Sequence, residues 1–355
     1  MRYSKEWEQT VTRIGRWISF ENDYKTMHLS FMESVWWVFG QLHEKGLVYR
    51  GFKVMPYSCA CNTPLSNFEV QQNYKDVDDP AVVCAFPLID EPNTKFVAWT
   101  TTPWTLPSNL ALCVNPTMEY VKLEEIDSGV CYILMASRLV QLYPDLGNPK
   151  KKKEAEKKFK ELSRFPGSDL AGKQYSPPFA YFEHTRATGS FRVITGDFVT
   201  ADAGTGIVHC APAFGEEDYK ACIAHGVVKK GEALVCPIDA NGRFTDEVPE
   251  FKGRGVKEAD KDIIKHLKGQ GKMVHVGVIH HSYPFCWRSD TPLIYRAVPG
   301  TFINVESLKE RLLANNAQTY WVPAFVKEKR FHNWLENAKD WAVSRNRFWG
   351  TPIPM

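Results

Sequence analysis

The sequence predicts an α+β protein with a β-rich middle and helical flanks, and three observations carry that expectation. Between residues 76 and 145, apolar and β-branched runs at 81–86, 95–100, 110–114, 120–123 and 130–135 alternate with Pro, Asn, Asp and Gly. That rhythm marks short strands joined by turns. Near the start, Leu29, Met32, Trp36, Phe39 and Leu42 recur at three- and four-residue steps, the spacing of one helix face. Two further helices are expected at 306–315 and 331–339.

In chain order, the first helix has Asn22-Asp23 available as an N-cap and Gly46 as its stop. Its apolar stripe calls for a partner surface. Residues 51–75 read as short strands and turns. The stretch 149–161, Pro149-Lys150-Lys151-Lys152-Lys153-Glu154-Ala155-Glu156-Lys157-Lys158-Phe159-Lys160-Glu161, reads as a basic helix. Such a run is ordinarily a solvated face or mobile insertion, with an RNA phosphate contact as the second reading. Strands return over 191–209, and a helix follows over 216–225. The turn Ala201-Asp202-Ala203-Gly204-Thr205-Gly206 lacks the third glycine of a dinucleotide fingerprint and the Gly-Lys-Thr/Ser ending of a P-loop, so it is not read as a phosphate cradle.

Apolar and charged fractions of 44% and 24% are those of an ordinary globular protein. No apolar run is long enough to span a bilayer. Nine cysteines, an odd number without a regular framework, point to a reducing compartment. A net charge of +3 neither demands nor excludes a nucleic-acid partner. The expected divisions are 1–75, 76–280 and 281–355.

The chemistry gathers at Trp99-Thr100-Thr101-Thr102-Pro103-Trp104-Thr105-Leu106-Pro107-Ser108-Asn109. Pro103 and Pro107 cannot donate to a strand ladder, so the chain leaves its sheet there with several hydroxyls on a stiff turn. That arrangement suits a polar pocket floor. The plainer alternative is a turn whose hydroxyls satisfy nearby backbone. Further along stand Gly204-Thr205-Gly206-Ile207-Val208-His209-Cys210-Ala211-Pro212 and then Asp218.

Together these strings resemble the editing-domain signature of isoleucyl-tRNA synthetase, within the class I aminoacyl-tRNA synthetases. The Thr-Pro-Trp-Thr-Leu-Pro-x-Asn string stands where the valyl and leucyl enzymes have Arg-Pro-Glu-Thr, which argues against threonyl or leucyl-type mischarged substrates. The resemblance implies a β-rich, barrel-like editing domain with helical linkers, which hydrolyses the ester of mischarged valyl-tRNA(Ile) as a second sieve. A missing methylene is worth only about 1–3 kcal/mol of discrimination, a figure already established for isoleucine against valine in this enzyme. It further implies a catalytic set of Thr105, Asn109 and Asp218. The substrate-binding set is Thr100, Thr101, Thr102, His209 and Asp218.

In that reading Asp218 holds the α-ammonium group through charge-assisted bonds. Its competing role is that of a carboxylate at a helix N-terminus. The threonines wall the side-chain pocket, Thr105 and Asn109 position the water or the terminal adenosine, and His209 adds bulk without transferring a proton. Cys210 faces away from its neighbour on a strand, which weakens any Cys–His dyad.

The same resemblance sets the expected partners: the tRNA(Ile) acceptor end carrying valine, the rest of the synthetase in cis, and small-molecule inhibitors, with no membrane. A cytoplasmic, eukaryotic-type monomer is expected. No cofactor is expected for the hydrolysis, ATP and Mg serving only the full-length synthetase. Some family members bind zinc through paired Cys-x-x-Cys knuckles near the ends of the editing insertion. Here Ser58 and Ser289 replace two of those cysteines beside Cys61 and Cys286, so the zinc site reads as degenerate, with Cys59 the one extra thiol nearby. Residues 1–50 and 341–354 resemble edges of the catalytic domain, and the His-Ile-Gly-His and Lys-Met-Ser-Lys-Ser signatures are absent. A fragment without amino-acid activation is therefore expected. The runner-up is a tRNA acceptor-end binding module that does not hydrolyse the ester.

Overall fold

The computed structural model describes residues 2–345 and 350–354. Part of the expected re-entry segment, 346–349, lies outside the described residues. In chain order the first elements are α1 (Arg2–Arg13), α2 (Leu29–Glu44), β1 (Val48–Ser58), β2 (Thr63–Pro64) and α3 (Asn67–Val70). Strands β3 (Tyr74–Pro87), β4 (Thr94–Thr100), β5 (Ala111–Val114), β6 (Glu119–Glu125) and β7 (Cys131–Met135) follow. Next come α4 (Lys152–Ala155), β8 (Phe159–Pro166), β9 (Arg192–Thr195), β10 (Ile207–Cys210), α5 (Glu216–Ala224) and α6 (Val256–Gly269). The chain continues through β11 (Met273–Pro284), β12 (Ile294–Ile303), α7 (Lys309–Ala317), α8 (His332–Glu336) and β13 (Trp341–Ala342). The α+β class and the β-rich middle are as expected.

Two compact units form: Met1–Arg50 with Gly300–Met355, and Gly51–Pro299. In the first, α2 starts at Leu29 with His28 as its N-cap, later than the Asn22-Asp23 expected. Asp23 is engaged elsewhere, its carboxylate accepting from the Lys25 ammonium. No residue of α2 is buried, and Leu29 and Trp37 are 64% and 68% exposed.

In the second unit, six strands form an open sheet in the order β11-β3-β4-β7-β6-β8, and three more form the sheet β10-β5-β9. Neither sheet closes, so two open sheets replace the barrel-like form implied by resemblance. Strand β11 pairs with β3 from Met273↔Cys84 to Pro284↔Tyr74. Residues on both sides of the expected boundaries at 75 and 280 thus share one ladder. The basic stretch is also corrected. Only Lys152–Ala155 is helical, and from Phe159 the chain is an edge strand on β6. Phe159 stacks on Tyr143 at 4.6 Å, a packing contact that favours strand over a solvated helix.

The core of this unit fixes the site. Phe86, Tyr175 and Phe191 are fully buried and stack edge to face in succession, at 5.6 and 6.3 Å. Burying side chains of this size stabilises by about 1.5–3 kcal/mol each. Phe191 holds a φ of 60°, an unusual backbone for a bulky residue, and its N–H donates to Leu110 O at 2.6 Å.

Candidate active site

The threonine string begins at the last residue of β4 and turns through a 3₁₀ helix, Pro103–Ser108, because Pro103 fits a helix start and offers no ladder donor. The Thr102 N–H donates to Thr100 Oγ1 at 3.1 Å, and the Thr105 hydroxyl donates to Thr102 O at 2.8 Å. Remote residues lock the turn. The Trp104 N–H, one of the unpaired donors at a helix start, donates to Asp260 Oδ1 of α6 at 2.8 Å. The Trp104 ring stands edge-on to Phe214 at 4.8 Å.

His209 reaches this turn from β10, which pairs with β5 at Leu112↔His209. Its ring lies between Thr105 Oγ1, 2.9 Å from Nε2, and Asn109 Nδ2, 2.8 Å from Nδ1. The proton positions follow from the partners. Asn109 Nδ2 also donates to Ala111 O at 2.9 Å, and Tyr175 OH donates to Asn109 Oδ1 at 2.7 Å. A carbonyl only accepts, so the amide orientation is fixed, and His209 Nδ1 must accept. The neutral ring therefore carries its proton on Nε2 and donates it to Thr105. Burial pushes the His209 pKa down to about 3, in keeping with that neutral form. The result is a directed chain, Tyr175 to Asn109 to His209 to Thr105 to the Thr102 carbonyl.

Exposure divides the threonines. Thr105, Asn109 and His209 are 6%, 2% and 7% exposed, whereas Thr101 and Thr102 are half-buried. Thr101 is outside the hydrogen-bonded chain, and its hydroxyl has no protein partner among the described residues. Thr102 Oγ1 lies 3.2 Å from Thr100 Oγ1 and 3.4 Å from Thr105 Oγ1. The structure thus joins Thr100, Thr102, Thr105, Asn109 and His209 in one network, and leaves Thr101 at its open side. Asn109 has both ends of its amide occupied by protein.

Asp218 is joined to this network only along the backbone. It sits in the first turn of α5 and accepts from the Ala211 N–H, two residues past His209, at 3.0 Å. Burial raises its pKa to about 6, against the lowering by the Ala211 bond. A cation brought beside it would favour the charged form. The flanking Glu216 and Glu217 are exposed and bind Lys220 instead.

The Gly-Thr-Gly turn supports the site from below. Gly206 has a φ of +74° and lies so close to Met135 that a Cβ would collide with that side chain. Its carbonyl accepts from Tyr120 OH at 2.6 Å, and the Thr205 carbonyl accepts from Met135 N–H at 2.9 Å. The turn spends its backbone on protein donors rather than cradling a phosphate. Sequence reasoning missed Tyr175 and Asp260, which hold the site from a distance. Tyr175 is in no periodic pattern, whereas Asp260 interrupts the buried face of α6, a signal that was available.

The family model described as tRNA synthetases class I (I, L, M and V) matches residues 1–355. The cytoplasmic isoleucine–tRNA ligase of Arabidopsis thaliana is 58% identical over 374 residues, covering 100% of this chain and 31% of that protein. The cytoplasmic isoleucine–tRNA ligase of Mus musculus is 57% identical over 355 residues, covering 100% of this chain and 27% of the relative. The chain therefore spans roughly a third of the length of such relatives. Among solved structures, the cytosolic leucyl-tRNA synthetase editing domain of P. knowlesi aligns over 57% of this chain and 96% of its own, at TM-score 0.39 and 11% identity. That likeness is too remote to carry an argument. The match along the full length is decisive: the chain belongs to the class I tRNA synthetases.

Proposed function

We propose that this chain is the editing portion of a cytoplasmic isoleucine–tRNA ligase and that it hydrolyses the ester of mischarged valyl-tRNA(Ile). The observation that carries the reading is the directed chain ending at Thr105 and Thr102. It places hydroxyls on a rigid turn and keeps the imidazole beside them neutral. An aminoacyl ester is already activated, so its cleavage needs a placed water and stabilisation of the oxyanion more than a strong base. A neutral, proton-donating His209 fits positioning and steric exclusion, and its Nε2 lone pair is absent, so it takes no proton.

The half-buried Thr101 and Thr102 wall the side-chain pocket together with Thr100. Asn109 acts through His209, orienting its ring. Asp218 receives the α-ammonium, whose charge offsets the burial that raises the carboxyl's pKa and so favours its ionised form. No metal or organic cofactor takes part in this hydrolysis, while ATP and Mg serve amino-acid activation in the longer protein. The partners are the acceptor end of tRNA(Ile) and the remainder of the synthetase in cis, with the protein acting as a monomer. A pocket shaped for an amino acid and an adenosine is also open to small-molecule inhibitors.

The test is hydrolysis of valyl-tRNA(Ile) and isoleucyl-tRNA(Ile) by the protein and by Asp218→Ala. Rapid loss of the valyl ester alone, reduced about a hundredfold or more by the substitution, is the expected result for loss of a charge-assisted anchor. Binding of the acceptor end without cleavage of either ester would instead mark a binding module.

A further inference from the structure

The two knuckles near the ends of unit Gly51–Pro299 are built alike. Ser58-Cys59-Ala60-Cys61-Asn62-Thr63-Pro64 and Cys286-Trp287-Arg288-Ser289-Asp290-Thr291-Pro292 share a four-position frame in which serine and cysteine have exchanged places. Asn62 and Asp290, at matching positions, both adopt left-handed backbone, with φ of 51° and 55°. Each knuckle is closed locally: the Cys61 N–H donates to Ser58 Oγ at 3.2 Å, and the Asp290 N–H donates to Cys286 O at 2.8 Å.

This frame does not suit zinc. Its four positions supply two thiols and two hydroxyls, where a structural zinc takes four thiolate or imidazole donors. Cys59 does not complete the set, because its sulfur packs against Gly242. Among the described residues, no group of three His, Cys, Asp or Glu side chains could hold a metal ion.

What the frame does bring together is a pair of sulfurs. Cys61 Sγ and Cys286 Sγ are 3.9 Å apart, across a sequence separation of 225 residues. Their settings differ in a useful way. Cys61 is exposed to solvent, and Cys286 is 1% exposed in a small cluster with Leu65, Val70 and Leu293. We propose that Cys61 and Cys286 form a reversible oxidation site, in which Cys61 reacts with a peroxide arriving from solvent and Cys286 closes the disulfide from within.

The step balances as follows. The Cys61 sulfur attacks one oxygen of the peroxide, the O–O bond breaks, water leaves, and Cys61 becomes a sulfenic acid. The Cys286 thiolate then attacks Cys61 Sγ, forming the S–S bond and expelling hydroxide. Each sulfur is oxidised by one electron and the peroxide is reduced by two. A dithiol reductant reverses the reaction by exchange.

The placement of Cys286 suits the second step: it is buried on its far side and already in contact with the Cys61 sulfur at 3.9 Å, so it meets a sulfenic acid formed there before any outside thiol does. Closing the sulfurs from contact to the disulfide length of about 2.05 Å needs a side-chain adjustment at the exposed partner. The bond would join the two legs through which the chain enters and leaves this unit.

The experiment is hydrogen peroxide treatment of the whole protein, then alkylation of free thiols and mass spectrometry of the unreduced digest. The expected result is loss of two of the nine alkylatable thiols under denaturing conditions, with a Cys61–Cys286 linked peptide that vanishes on reduction by dithiothreitol. In Cys286→Ser, Cys61 should proceed to sulfinic acid instead, because nothing resolves its sulfenic form. Finding both thiols alkylated after treatment, or Cys61 overoxidised in the unsubstituted protein, would overturn the proposal. So would stoichiometric zinc in the purified protein that Cys61→Ser releases, since both thiols would then be ligands. Every readout is independent of ester hydrolysis.

Discussion

At the scale of single residues, one imidazole has its tautomer dictated by its neighbours. His209 Nδ1 accepts because Asn109 has no other orientation open to it, with Ala111 O on one side and Tyr175 OH on the other. Asn109→Asp replaces the donor with a carboxylate, so the ring must present N–H at Nδ1 and gains a negative neighbour. The His209 pKa should then climb from about 3 toward or above its ordinary 6.5. Imidazole proton shifts followed by NMR would show a titration within the neutral range for the variant and none for the parent. The motif residues themselves were readable in the sequence, because prolines and threonines at fixed offsets describe a turn. Their partners were not, since a hydrogen bond spanning 100 residues, as between Asn109 and His209, has no local signature.

At the scale of elements, the strands were legible where alternation and turn residues agreed. β4 occupies Thr94–Thr100 where 95–100 was expected, and β5 and β7 agree as closely. The basic stretch misled because its lysines carry good helix propensity, whereas at its end Phe159 packs on the sheet and Phe159 to Glu161 pair with β6, tertiary contacts that override propensity. α6 was passed over although Val256, Ala259, Ile263 and Leu267 give it a regular buried face. The Gly204-Thr205-Gly206 turn belongs to this scale. Gly206→Ala should destabilise the protein by about 2–4 kcal/mol, combining left-handed strain with overpacking against Met135. Urea unfolding measures it. A loss below about 0.5 kcal/mol, the ordinary range for a surface change, would mean that the turn yields easily.

At the scale of the whole molecule, three titratable groups, the buried Asp260 and His209 and the half-buried Asp218, shape how stability depends on pH. Asp260 is raised from 3.8 to about 7, by burial first and then by Asp79, against Lys257 and the Trp104 N–H. Asp218 is raised from 3.8 to about 6. For both, the folded state holds the proton more tightly, so their contribution is complete below the unfolded value and is lost as pH rises through 6 and 7. His209 acts in the opposite sense: its contribution is present above 6.5 and is lost as pH falls toward 3. Asp260→Asn keeps an acceptor for Trp104 and removes one titration. Denaturant midpoints should therefore show the parent losing stability relative to this variant between pH about 4 and about 8. A constant difference across that range would mean that Asp260 titrates normally.

The chain from Tyr175 to the Thr102 carbonyl has a further property: it has polarity. Every link points the same way, like a row of compass needles, and none can reverse alone without setting two donors or two acceptors face to face. The site therefore has one ground arrangement, because the row meets carbonyls at Ala111 and Thr102 that can only accept. Tyr175 lies at the far end, buried among aromatic rings and away from the open threonines. Removing its hydroxyl would leave the buried Asn109 Oδ1 without its donor, a cost in stability felt at the closed end of the row, while the Ala111 carbonyl would still hold the amide in its one orientation.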